Sequence, residues 1–162
     1  MTYIGIDPGN KGAIAILEPD KPMVIYKMPA EHQREELLKL METIAAYPFP
    51  KVAIEKQILK PVGGKKPCPF CKKPISYAYM QAGVATTFRN YGILLGLMYA
   101  YRIPYEEIDG STWKKLFKLT KLGKEGSIKL AKQFFPYLSE EIGEDDNKAE
   151  AALLAEYGRR QC

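Results

Sequence analysis

Tyr3-Ile4-Gly5-Ile6-Asp7-Pro8-Gly9-Asn10-Lys11-Gly12-Ala13-Ile14-Ala15-Ile16-Leu17 sets two apolar runs, residues 2–8 and 11–18, on either side of a Pro-Gly-Asn turn. That pattern predicts a β-hairpin with a buried interior. One residue is out of place in it. An ionised carboxylate at Asp7 costs several kcal/mol to bury alone, so the stretch demands a cationic or metal partner from elsewhere in the chain.

The chain has 162 residues, 46% of them hydrophobic, which is enough for one domain with a substantial core and too little for two large ones. No apolar run reaches membrane-spanning length and the first residues already read as strand, so neither a membrane span nor a signal peptide is expected. Three cysteines, two of them in Cys68-Pro-Phe-Cys71, do not make a secreted disulfide framework and point to a reducing, cytoplasmic setting. Lys plus Arg outnumber Asp plus Glu by 24 to 19, for a net charge of +5 and a pI near 9.0. The basic residues gather at Lys60 to Lys73 and Lys114 to Lys132, and the acids at Glu140 to Asp146. A face of one sign suits a polyanion, although a solvated charge run has the same composition.

After the hairpin, Met23 to Met28 reads as a third strand, and Glu31 to Ala46 repeats apolar residues at helical spacing. Pro48 and Pro50 stop that helix, and Val52 to Glu55 is a short buried strand ending in an acid. Residues 56–75 are read as an irregular excursion. A long helix is expected over Tyr77 to Tyr101, with Met80, Val84, Phe88, Tyr91, Leu95, Met98 and Tyr101 on one side and Gly83, Gly92 and Gly96 permitting close approach. Pro104 to Asp109 supplies another strand, and Ser111 would cap a helix carrying Trp113 and Lys114. Further helices follow at Glu125 to Phe135 and Asp146 to Arg159. This order implies an α/β fold, a mixed β-sheet flanked by helices.

Four acids stand out by context: Asp7, Glu55, Asp146 and Glu150. The last two are four residues apart and share a helix face, with Glu150 set in the apolar run Ala149-Glu150-Ala151-Ala152-Leu153-Leu154-Ala155. If the first and fourth strands are neighbours and the last helix packs beside them, the four converge as ligands for hard cations. Two magnesium ions about 4 Å apart could then activate water and stabilise a leaving oxygen in phosphodiester hydrolysis. The alternative leaves them as caps and solvent-exposed strand ends. Asp145 could also stand in for Asp146.

Three blocks resemble the RuvC-like Holliday junction resolvases of the RNase H-like superfamily, especially the short phage-type members. They are Ile4-Gly5-Ile6-Asp7-Pro8-Gly9 with Gly12-Ala13, Val52-Ala53-Ile54-Glu55-Lys56, and Asp145-Asp146-Asn147-Lys148-Ala149-Glu150-Ala151 with Leu153, Leu154 and Ala155. Arg89 to Gly96 and Thr112-Trp113-Lys114-Lys115 resemble phage members too. The resemblance implies an RNase H-like fold and a homodimeric, Mg2+- or Mn2+-dependent endonuclease that nicks four-way DNA junctions. Its catalytic metal ligands would be Asp7, Glu55, Asp146 and Glu150, and its phosphate contacts Lys114 and Lys124. The long helix would supply much of the dimer interface. Glu150 departs from the family, which commonly has Asp there.

Residues 60–75 form an insertion relative to that family. Lys65, Lys66, Lys72 and Lys73 would suit DNA phosphates, and Phe70 could wedge between unstacked bases. Cys68 and Cys71 are half of a zinc knuckle; His32, Cys162 or the same pair from a second subunit could complete the set for Zn2+. Trp113 reads equally as a base-stacking residue and as a core anchor. Three rival functions remain: a phosphate loop of an actin- or sugar-kinase-like ATPase, disfavoured because such proteins need two such domains; a non-catalytic branched-DNA-binding module; and an RNase H-like nuclease acting on flaps or RNA/DNA hybrids.

Overall fold

The computed structural model describes residues 1–30, 33–58 and 81–161, with side chains from residue 85 onward in the last range. The opening stretch folds as expected. Strands β1 (Thr2–Asp7) and β2 (Ala13–Leu17) pair antiparallel, with Ile6 opposite Ile14. The Gly12 amide closes the turn by donating to the Gly9 carbonyl at 2.8 Å. A Cβ on Gly12 would lie 2.0 Å from the Asp7 carbonyl oxygen, so only glycine fits there.

Strand β3 (Val24–Lys27) adds to β2, helix α1 (Arg34–Ala46) crosses over, and strand β4 (Pro50–Glu55) returns parallel to β1. Pro50 opens β4, where a missing N–H costs least. Helix α2 (Gln81–Ala100) leads to the edge strand β5 (Tyr105–Ile108), parallel to β4. The mixed sheet runs β3-β2-β1-β4-β5. Helices α3 (Gly110–Leu116), α4 (Gly123–Phe134), the short α5 (Ser139–Ile142) and the long α6 (Asp146–Arg160) complete the described chain. None of the described helices is long and apolar enough to cross a membrane.

Side-chain alternation along the strands sorts the core into two layers. Ile4, Ile6, Ile14, Ile16, Val52 and Ile54 face α1 and α2, meeting Leu40, Met41, Ile44, Tyr91, Leu94 and Met98. The opposite parity carries small residues, Ala13, Ala15 and Ala53, against the alanines of α6. Gly5 belongs to this second face. A Cβ there would sit 2.1 Å from the Ala151 carbonyl oxygen and 2.3 Å from the Ala155 nitrogen. The small residues thus let the α6 backbone lie almost on the sheet. Further along α6, Glu156 is buried and held by Arg159 and Arg160, while Arg160 also stacks over Phe117 and Phe134.

Two local expectations change and one open reading, that of Trp113, is decided for the core anchor. Asp109, not Ser111, occupies the N-cap of α3, and it makes no side-chain cap bond; Ser111 is already inside the helix because the chain turns directly off β5. Among the described residues, nothing lies within 4 Å of a Cβ placed on Gly92 or Gly96, because the core side of α2 is the Tyr91, Leu94 and Met98 face, and the glycines lie off it. Trp113 is fully buried, which removes it as a base-stacking residue. His32, Cys162 and the insertion, with Lys65, Lys66, Cys68, Phe70, Cys71, Lys72 and Lys73, lie outside the described residues.

Candidate active site

The parity that puts Gly5 and Ala53 under α6 also puts Asp7 and Glu55, two residues further along their strands, on that same side. The parallel register setting Ile6 beside Ile54 makes both acids neighbours at the C-terminal edge of the sheet. Helix α6 begins at that edge and contributes Asp146 and Glu150. A cleft of about 530 Å³ is lined by Glu55, Asp146 and Glu150 with Lys114, Lys124 and Gly110. Asp7 stands close enough to feel Glu55, Glu150 and Lys114. All four predicted acids therefore share one electrostatic neighbourhood.

Burial, followed by the negative charges of Glu55 and Glu150, pushes the Asp7 carboxyl up from 3.8 to about 6, against a backbone hydrogen bond from Gly9 that favours the ionised form. The remaining acids have protein partners. Glu55 accepts a hydrogen bond from the buried Trp113 indole N–H at 2.9 Å. Glu150 accepts from the buried Ser127 hydroxyl at 3.1 Å and receives Lys114 Nζ at 2.9 and 3.0 Å from its two oxygens. Lys124 Nζ lies 2.6 Å from Asp146, and this pairing raises the Lys124 pKa, with smaller help from Glu150 and Asp7. With these pairings in place, no three Asp, Glu, His or Cys side chains among the described residues are gathered to hold one metal ion.

The donor set nonetheless fits a hard divalent cation. It is made of carboxylate oxygens, and the burial of Asp7 together with the neighbouring Glu55 and Glu150 charges, which disfavour its ionised form, are what a bound cation offsets. Asp145 has a different task. It is the N-cap of α6, its Oδ1 accepting from the amides of Asn147 at 3.0 Å and Lys148 at 3.3 Å, while Asp146 faces the cleft. Burial opposes ionisation of Asp145, but these bonds outweigh it and hold its pKa below the usual carboxylate value.

Sequence patterns did not single out Ser127 or Gly110. Ser127 is a small hydroxyl on the buried side of α4, a position where periodicity registers only the absence of a large apolar residue. Gly110 leaves room for Glu55: a Cβ there would meet Glu55 Oε1 at 2.7 Å. The room Gly110 leaves comes from a chain segment far from Glu55 in sequence, so no local pattern signals it.

This mixed sheet with its flanking helices is a RuvC-like fold. Two solved structures carry the likeness across nearly the whole chain. The Thermus thermophilus RuvC structure superposes with a TM-score of 0.59 at 16% identity, covering 99% of this chain and 96% of that one. T. thermophilus RuvC in complex with Holliday junction substrate gives 0.56 at 14% identity with the same coverage. No protein-family model and no curated protein sequence matches the chain.

Proposed function

We propose that the chain is a divalent-metal-dependent endonuclease that resolves four-way DNA junctions as a homodimer. The observation that carries this reading is a cleft lined by Glu55, Asp146 and Glu150 and edged by Lys114 and Lys124, with Asp7 close enough to feel the charges of Glu55, Glu150 and Lys114. Mg2+ or Mn2+ bound to these carboxylates would supply an activated water and charge stabilisation at the scissile phosphate. The chain's own part is positioning. Asp7 is fixed by a strand with almost no freedom, and Trp113 with the Gly110 gap sets the orientation of Glu55. The extra methylene of Glu150 lets it reach Ser127 on α4 and Lys114 on α3. Lys114 and Lys124 would meet DNA phosphates, fixing register without reading sequence.

The choice of a four-way junction is supported by the sequence blocks and by the junction complex of the T. thermophilus protein with the same fold. A second subunit is supported by the outward side of α2, where Ile93 and Tyr99 are exposed beside the open Gly92 and Gly96. Two such sites would give paired nicks. The phage-type affinity rests on residues 89–96 and 112–115. Lys65, Lys66, Phe70, Lys72 and Lys73 are assigned to DNA, and Cys68 and Cys71 to Zn2+, on sequence grounds; metal analysis before and after Cys68→Ser tests the zinc.

Cleavage is tested by incubating the protein with a labelled four-way junction, a flap, a linear duplex and an RNA/DNA hybrid in Mg2+ or Mn2+. Symmetric paired nicks confined to the junction are expected. Tight junction binding with no cleavage would instead establish a binding module, a reading favoured by the two ion pairs that neutralise half of the acids. Cutting of the flap or hybrid alone would move the substrate elsewhere in the RNase H-like class.

A further inference from the structure

The two lysines at the cleft are held by the same oxygens that a cation needs. Lys114 bridges both oxygens of Glu150, and Lys124 lies on Asp146. The partners differ in exposure. Asp146 and Glu150 are 21% and 14% exposed and rooted in the most buried helix of the fold, whereas the Lys124 side chain is 77% exposed. Lys114 is 30% exposed and lies over the face of Trp113, its ammonium 4.8 Å from the ring centre. In each pair the lysine is the more exposed member.

Each pair therefore stands between two ligands of opposite charge. A hard cation wants the carboxylate oxygens, and a phosphodiester backbone wants the ammonium groups. Whichever arrives first breaks the pair and leaves the other member free for the second ligand. Because coupling between two binding sites is reciprocal, the effect must be equal in both directions.

Resting on the metal-nuclease reading above, we infer that the Lys114–Glu150 and Lys124–Asp146 ion pairs couple divalent-cation binding to nucleic-acid backbone binding, each ligand freeing the other's site. Without DNA, the lysines act as internal counter-ions that compete with the metal. With a backbone in the cleft, they turn to phosphate and expose Asp146 and Glu150. The arrangement keeps the cation weakly held until a substrate is present.

The test measures affinity rather than turnover. Fluorescence anisotropy gives the Kd for a synthetic four-way junction with and without saturating Ca2+, a hard oxygen-seeking cation, and calorimetry gives the Ca2+ affinity of the protein alone. Wild type is expected to bind the junction about tenfold more tightly with Ca2+, within the usual range of coupling between sites. The Lys114→Gln/Lys124→Gln double variant should bind Ca2+ more tightly than wild type in the absence of DNA and show coupling below about twofold. Lys115→Gln, which removes the same kind of charge from α3 outside either pair, should keep wild-type coupling. Unchanged coupling in the double variant, or its equal loss in Lys115→Gln, overturns the inference. If Ca2+ binding is lost in Asp7→Asn but never coupled to DNA in wild type, the metal site stands and the coupling falls. If wild type binds no cation with or without junction, both fall.

Discussion

Replacing Asp7 by Asn should stabilise the metal-free protein while abolishing cleavage. Burial and the neighbouring Glu55 and Glu150 charges push the folded-state pKa of Asp7 from 3.8 to about 6. The protonated form is thus the one the fold prefers. The stability it contributes is complete below pH 3.8 and is lost as the pH rises through about 6. At roughly 1.36 kcal/mol per pKa unit, the loss amounts to about 3 kcal/mol at neutral pH. For a domain of this size, that is a rise of ~6–12 °C in Tm for the Asn variant above pH 7. Asn keeps an oxygen able to accept the Gly9 amide, so the substitution removes charge and little else. The assay is calorimetric melting in chelator from pH 4 to 8, read as the difference between variant and wild type. That difference cancels carboxylates titrating in the opposite sense, such as Asp145 and Glu156, whose lowered pKa values add stability as pH rises. It should be small at pH 4 and grow to a plateau near pH 7, and saturating Mn2+ should shrink it by stabilising wild type alone. A flat difference, or an Asn variant that melts below wild type at pH 7.5, would refute the account of Asp7 as a carboxylate waiting for a cation.

Other substitutions probe the supports of the site. Gly110→Ala places a methyl 2.7 Å from Glu55 Oε1 and should lower cleavage about a hundredfold by displacing that carboxylate, with an unchanged far-UV spectrum. Trp113→Phe removes the indole donor to Glu55 from a fully buried position and should cost about 1–3 kcal/mol in urea unfolding. Gly5→Ala forces a methyl against the α6 backbone and should cost about 3 kcal/mol, with a melting temperature far below wild type.

Much of the sheet was legible because its signals are local. The alternation around Pro8-Gly9, Pro48 and Pro50 at the start of β4 and the apolar run of α6 each specify an element within a few residues. Other features depended on what lies across the fold. The cap of α3 shifted from Ser111 to Asp109 because the exit of β5 decides where the helix begins. Gly92 and Gly96 suggested close packing, yet the monomer buries a different face of α2, and nothing in a glycine's neighbours along the chain says which way it points. Glu156 gave no sign of burial, since arginines three and four residues further along α6 are what a solvent-facing helix turn would also show, and only the tertiary fold brings the Phe117 and Phe134 rings to Arg160.

The chain by itself determined that one acid would sit at the end of a rigid apolar strand, that a second would end another strand, and that two more would share a helix face. Those are consequences of period-two and period-3.6 geometry, which are properties of the backbone. Only the tertiary structure decided that Asp7 and Glu55 point the same way as Asp146 and Glu150, because that depends on strand register and on Gly5 and the facing alanines admitting α6. It also decided which neighbours the acids keep, separating Asp145 as a cap from Asp146 in the cleft and bringing Ser127, Trp113, Lys114 and Lys124 to the carboxylates. Charge pairing acts through space, and the sequence orders these residues along a line.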